Sequence, residues 1–274
     1  MTLFTCPICA APLQRQPARY CCPNGHSYDI AREGYVHLLP ANRKHAKEPG
    51  DDREMTAART RFLEGGWYDH LREALCALAA EHLREGGVLV DAGCGEGYYT
   101  AAIAETLSAR GLAPRIAGVD LSKFALKKAA RRVKAAEFAI ASVYHLPMGD
   151  AAADVLLDCF APLAIEEYRR VLRPGGAFLY VVPGPDHLME MKEVLYDAPY
   201  QNPEETEVYD GFACEGELPV SKVLRLPSGG AIMDLLHMTP YAWKTPKEGI
   251  ERLARLEELK VTASFRVLVF RKRS

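Results

Sequence analysis

Two periodicities alternate along this chain. Short apolar runs that suit strands fall near residues 87–91, 115–119, 136–140, 153–158 and 177–182. Between them, near 98–110, 122–134, 163–172 and 185–197, apolar positions recur every three or four residues, the period of a helix. Strands that alternate with helices predict a mostly parallel sheet covered by helices on both faces, the doubly wound, Rossmann-like α/β class. Two further helices are predicted ahead of the first strand. One covers 53–63 with Asp51 or Asp52 as its cap, and one covers 68–83 with Leu71, Leu75, Leu78 and Leu83 on one face. Beyond the last parallel strand, 199–215 has the composition of a loop. Strands follow at 220–226 and 263–271, with helices near 229–237 and 247–258 between them. The polar stretch ANRKHAKEPGDDRE at 41–54 predicts a linker or surface loop. The chain thus divides into a small module over 1–40, a linker and helix over 41–66, and a large α/β domain over 67–274.

Composition narrows the class further. The chain has 274 residues, of which 49% are hydrophobic and 26% charged, with a net charge of −2, so no global basic field announces a nucleic-acid partner. The first fifty residues differ. They carry six cations (Arg15, Arg19, Arg32, Arg43, Lys44, Lys47) against three acids (Asp29, Glu33, Glu48), a local excess of +3. No run of about eighteen apolar residues exists, so no membrane span is expected. The first fifteen residues lack the apolar core of a secretory signal, which predicts a cytoplasmic protein with reduced thiols.

Candidate chemistry begins at GVLVDAGCGEGYYT, residues 87–100. Here a predicted strand runs into Asp91, Gly93, Gly95, Glu96 and Gly97, and a helix follows from Tyr98. Glycines at alternate positions let a loop turn tightly and bring its backbone close to a ligand. At the end of a strand and the start of a helix, such a loop forms a nucleotide-type pocket. The next strand ends in Asp120, where a carboxylate meets ribose hydroxyls. The order D-x-G-x-G-x-G resembles the first motif of class I S-adenosylmethionine-dependent methyltransferases.

The cysteines define the small module. Four of the eight lie within the first 22 residues, as Cys6-Pro7-Ile8-Cys9 and Cys21-Cys22-Pro23-Asn24-Gly25-His26. Two ligand pairs about a dozen residues apart suit tetrahedral zinc. Cys6, Cys9, Cys22 and His26 are the expected ligands, with Cys21 as the alternative to Cys22. So small a module buries too little apolar surface to fold alone, so the metal is expected to supply much of its stability. Segment 27–39 is expected to pack Tyr28, Ile30, Tyr35, Val36, Leu38 and Leu39 onto it.

Three segments together resemble one family: CPICAAPL…YCCPNGHSYDIAREGYVHLLP, then VLVDAGCGEGYYT, then the pair PGPDHLMEMK and HMTPYAWK. Over roughly residues 4–270 the chain is similar to the large-subunit (23S) ribosomal RNA guanine-N1 methyltransferases, which modify one guanine of a hairpin loop. The resemblance implies a class I methyltransferase fold, S-adenosylmethionine as cofactor, structural zinc in a module that helps hold RNA, and often a homodimer. It also implies a cofactor contact at Tyr68. The chain departs from the family pattern at Asp158, in LLDCFAPL.

N1 of guanine carries a proton at neutral pH and must lose it before or during attack on a methyl group. Candidate acceptors are His187, Glu190 and Asp158. His187 has an equal reading as a cofactor contact or helix cap, and Glu190 as a solvated helix residue. Phe160 and Tyr241 are candidates to stack on an extruded base, or else core residues. The competing readings are a small-molecule methyltransferase, since FAPLAIEEYRRVLRPGG also suits enzymes acting on metabolites, and a non-catalytic RNA-binding protein.

Overall fold

A computed structural model describes residues 2–41, 50–204 and 208–274. Near the amino terminus β1 (Gln14–Arg15), β2 (Arg19–Cys21) and β3 (Ser27–Asp29) form a small antiparallel sheet. Then come β4 (Val36–His37), α1 (Arg53–Glu64), α2 (Asp69–His82), β5 (Val88–Ala92), α3 (Tyr98–Ala109), β6 (Arg115–Asp120), α4 (Lys123–Arg132) and β7 (Glu137–Ile140). They are followed by β8 (Ala153–Cys159), α5 (Ile165–Val171), β9 (Leu172–Pro183), α6 (Met189–Leu195) and β10 (Phe212–Leu226). Last are α7 (Gly229–His237), α8 (Tyr241–Lys244), α9 (Lys247–Ala254) and β11 (Leu259–Lys272).

The large sheet has the order β10-β11-β9-β8-β5-β6-β7-β4. Strands β4 to β9 pair in parallel, whereas β11 runs antiparallel to both β9 and β10. Chain order reverses beside β5, whose neighbours β6 and β8 run on in opposite directions across the sheet. At such a switch point the loops diverge and leave a crevice beyond the carboxyl ends of the strands.

Alternate residues of each strand enter different cores, as a period of two requires. Leu89 and Val155 join a cluster with Leu71 and Leu75 of α2, Ile103 and Leu107 of α3, and Leu126 of α4. Val90, Ala117 and Leu156 join a second cluster with Tyr168 and Val171 of α5. Phe4, Leu13 and Tyr20 of the small module belong to that second cluster. The module therefore covers one face of the sheet, where the alternation of strands and helices led us to expect helices alone.

Helix α1 starts where the sequence indicated: the Asp52 carboxylate accepts the Met55 N–H at 2.8 Å. Several elements differ from the pattern, and three of them bear on the module and the site. Val36 and His37 pair with Ala139 and Ile140, so the end of the cysteine-bearing segment is the edge strand of the large sheet. Strand β10 begins at Phe212, inside the segment read as loop, because pairing with β11 and the Arg271–Glu215 ion pair hold a stretch with little apolar periodicity of its own. The helix expected from 185 starts only at Met189, after Leu188 in a left-handed conformation (φ 57°).

Candidate functional site

The crevice encloses a cavity of ≈ 640 Å³. Its floor is the loop between β5 and α3. Gly93 and Gly97 have φ of +81° and +75°, and neither has room for a side chain. A Cβ on Gly93 would stand 2.4 Å from the Ala161 methyl, and one on Gly97 3.1 Å from Ala129. The loop is pinned to β6 on both sides. Gly93 N–H donates to Val119 O at 2.8 Å, and Gly95 N–H to the Asp120 carboxylate at 2.9 Å. Asp120 also accepts the Ser122 N–H at 2.7 Å, and burial raises its pKa.

Asp91 is 2% exposed and accepts from Thr100 Oγ1 at 2.5 Å; burial pushes its carboxyl up to about 7. Tyr68 is 3% exposed and its hydroxyl, on the cavity wall, has no hydrogen-bond partner among the described residues. A buried phenol without a partner is costly, so a ligand oxygen or nitrogen belongs beside it. Arg59 is the one cation among the described residues that line the cavity. It pairs with Asp51 and donates to Met238 O at 3.3 Å. A glycine loop, a strand-end carboxylate, one guanidinium and an unpartnered hydroxyl fit the ribose and the zwitterionic tail of S-adenosylmethionine.

Of the remaining predicted residues, His187 lines the cavity at 6% exposed. Its Nδ1 accepts the Ser264 N–H at 3.2 Å, which leaves the ring proton on Nε2. Burial, and then the Lys192 charge, push its pKa down to about 3. The ring is therefore a neutral donor and a poor proton acceptor. Glu190 does not reach the cavity. Its carboxylate accepts the Thr262 N–H at 2.8 Å and Thr262 Oγ1 at 2.6 Å, and these bonds outweigh burial and hold its pKa below the ordinary value. Asp158 is 0% exposed and lies behind the cavity wall, accepting the Ala161 N–H at 2.9 Å and the Tyr168 hydroxyl at 2.7 Å. Burial pushes its carboxyl up to about 7. None of the three candidate bases offers the cavity a free basic lone pair. Glu96 belongs to the loop, but its carboxylate is held by Thr60 and lies 3.5 Å from Arg132, so it ties the loop to α1 and α4. Phe160 is 47% exposed at the rim, and Tyr241 lines the same cavity. Sequence reasoning missed Arg59: one arginine on an amphipathic helix carries no spacing that separates it from a solvated charge.

In the small module, ligand atoms of Cys6, Cys9, Cys22 and His26 all lie within 4.8 Å of one another. Cys9 Sγ is 3.7 Å from Cys22 Sγ, and Cys22 Sγ is 3.3 Å from His26 Nδ1. A tetrahedron with Zn–S near 2.3 Å has edges of about 3.8 Å, close to these separations, so the cage suits zinc. Cys21 turns away toward Ser27, at 3.6 Å, and is not a ligand. The Tyr28 hydroxyl lies 3.0 Å from Cys6 Sγ and completes the surroundings of the cage.

Comparison with known proteins matches residues 4–47 to the family described as RlmA, N-terminal, and residues 83–216 to the methyltransferase domain family. A 23S rRNA (guanine(748)-N(1))-methyltransferase of Streptomyces fradiae is 36% identical over 274 residues, covering 96% of this chain and 95% of that protein. A Micromonospora griseorubida protein named, provisionally, for 23S rRNA guanine-N1 methylation is 37% identical over 97% of this chain and 96% of its own length. A malonyl-[acyl-carrier protein] O-methyltransferase of Serratia marcescens is 32% identical over 43% of this chain and 46% of its own.

Proposed function

Since this chain belongs to the 23S rRNA (guanine-N1) methyltransferase family, we infer that it transfers the methyl group of S-adenosylmethionine to N1 of a guanine in large-subunit rRNA. We further propose that the guanine lies in a hairpin loop. The observation that carries the reading is the joining of two sites in one chain, a cofactor crevice at the switch point and a zinc module docked on the same sheet. Relatives named for acting on RNA match both parts, whereas the match to the acyl-carrier enzyme covers less than half of the chain. A loop base costs less to extrude than a paired one.

Bound S-adenosylmethionine supplies an electrophilic methyl on a sulfonium. The residues that would hold it are Asp120 toward the ribose, the backbone of Gly93–Gly95, and Arg59 with the Tyr68 hydroxyl toward the carboxylate. His187 holds a proton on Nε2 and donates to an oxygen in the cavity. Phe160 at the rim and Tyr241 on the cavity wall offer rings on which a base would stack. Methyl transfer is an in-line displacement, so the main contributions are alignment of N1 with the methyl carbon and exclusion of water. No cavity side chain among the described residues is both basic and unpaired, so a water at the cavity mouth is the expected acceptor of the N1 proton, with water excluded only from the methyl carbon.

A transfer assay with tritiated cofactor tests this against the alternatives. Label should enter rRNA lacking the modification and should not enter fully modified RNA or a pool of metabolites. Label in the metabolite pool alone would establish a small-molecule enzyme, and no label anywhere a binding protein.

A further inference from the structure

The turn after β8 presents one aromatic ring at the mouth of the cavity. Phe160 has φ +66°, a left-handed conformation that a bulky side chain seldom adopts, and it is 47% exposed with its ring centroid 5.6 Å from that of Phe265. Such a conformation persists only when its surroundings over-determine it, and it clusters at functional sites. The surroundings here are explicit. Behind the turn, Asp158 receives the Ala161 N–H at 2.9 Å and the Tyr168 hydroxyl at 2.7 Å. In front, the Ala161 methyl rests on Gly93, where an added Cβ would approach to 2.4 Å. The turn is clamped between a buried carboxylate and the cofactor loop, so the backbone that carries the ring cannot shift without breaking one or the other.

We propose that Asp158 is a positioning residue: with Tyr168 it fixes Phe160 at the cavity mouth so that the ring stacks on the target guanine and sets N1 in line with the methyl group. This rests on the RNA-methyltransferase reading above. Base–aromatic stacking tolerates any base, so Phe160 supplies orientation, and selection of guanine falls to other groups. A buried carboxylate with both oxygens engaged is suited to holding backbone, as an uncharged acceptor would be. It is not suited to receiving a proton from a ligand it does not face.

The test is a steady-state series on the full-length zinc-loaded protein, with undermodified rRNA and saturating cofactor, comparing wild type with D158N, D158A, Y168F, F160A and D158A/F160A. Wild-type turnover checks the underlying reading independently of the variants. Because Asn still accepts the Ala161 N–H, D158N should stay within about fivefold of wild type and keep the same pH–rate profile, whereas removing a general base costs about 10²–10⁴-fold. Y168F and D158A should raise KM for RNA by about tenfold with cofactor affinity within about twofold by calorimetry, and D158A/F160A should be no worse than F160A alone, the signature of residues acting as one unit. Loss of more than about a hundredfold in D158N, together with loss of the acidic limb of the pH–rate profile, would make Asp158 the base and overturn the proposal. Additive losses in D158A/F160A, or an unchanged KM in both D158A and Y168F, would overturn it as well. D158N and Y168F keep the volume of the parent side chains, so the result does not depend on whether D158A folds.

Discussion

Arg59 is surrounded by carboxylates at the cavity wall: Asp51, Asp91, Glu96 and Asp120 all line the same space. An anionic ligand group entering there meets a single guanidinium, so R59M should weaken S-adenosylmethionine binding by about ten- to a hundredfold through loss of a charge-assisted hydrogen bond. Decarboxylated S-adenosylmethionine should lose far less; equal losses by calorimetry would show that Arg59 acts only through Asp51. D120A should cost about 1–3 kcal/mol of cofactor affinity. The buried acids also make stability depend on pH. The folded-state pKa of Asp158 is about 7, above the unfolded value, so its contribution is present below about pH 4 and is lost as pH rises through 7. The melting temperature of the wild type should therefore fall relative to D158N between pH 5 and about 8, and a constant difference across that range would refute the assignment. At this scale the glycine loop was legible, because the constraint that selects Gly93 and Gly97 lies in a few consecutive residues. The directions of His187 and Glu190 were not. Both sit in one short segment, and what turns one toward the cavity and the other away is their pairing with Ser264 and Thr262, more than seventy residues on.

The elements were legible wherever hydrophobic periodicity decides the structure, as in α1, α2, β5 and β6. They were illegible where a partner strand decides it, as in β4 and the start of β10. The zinc module shows both cases. Its ligand spacing is local and identified the site, but its docking depends on Glu137 of β7, which accepts the Leu3 N–H and the Tyr20 hydroxyl at 3.0 Å each. Nothing in the sequence pairs those residues. Elemental analysis should find about one zinc per chain, with C22S losing it and C21S keeping it; the reverse result would exchange the two cysteines. Chelation should melt the module and uncover Phe4 and Tyr20, which are buried against the sheet, so thermal stability should fall along with zinc content. E137A should release the same docking face at a cost of about 1–3 kcal/mol in denaturant unfolding, with the zinc retained.

Across the whole molecule, the zinc module packs on the same sheet whose strand ends bound the cavity, so an RNA held by the first would meet the second in a fixed orientation. Of the six cations among the first fifty residues, Arg15, Arg19 and Arg32 are exposed on the module, while Arg43, Lys44 and Lys47 lie outside the described residues. Reversing the charge of Arg15, Arg19 and Arg32 together should weaken RNA binding and flatten its salt dependence, by up to about 0.9 in the slope of log K against log salt for each phosphate no longer neutralised. Cofactor affinity should be unchanged. No described helix is long and apolar enough to cross a membrane. The central claim is the position of the new methyl group, and primer extension across large-subunit rRNA treated with the enzyme reads it directly, because a methyl on N1 blocks Watson–Crick pairing. A strong stop is expected at one loop guanine; it should require both enzyme and S-adenosylmethionine and disappear in D120A at limiting cofactor. Read-through at every guanine, with label recovered elsewhere in the RNA or in a small molecule, would contradict it.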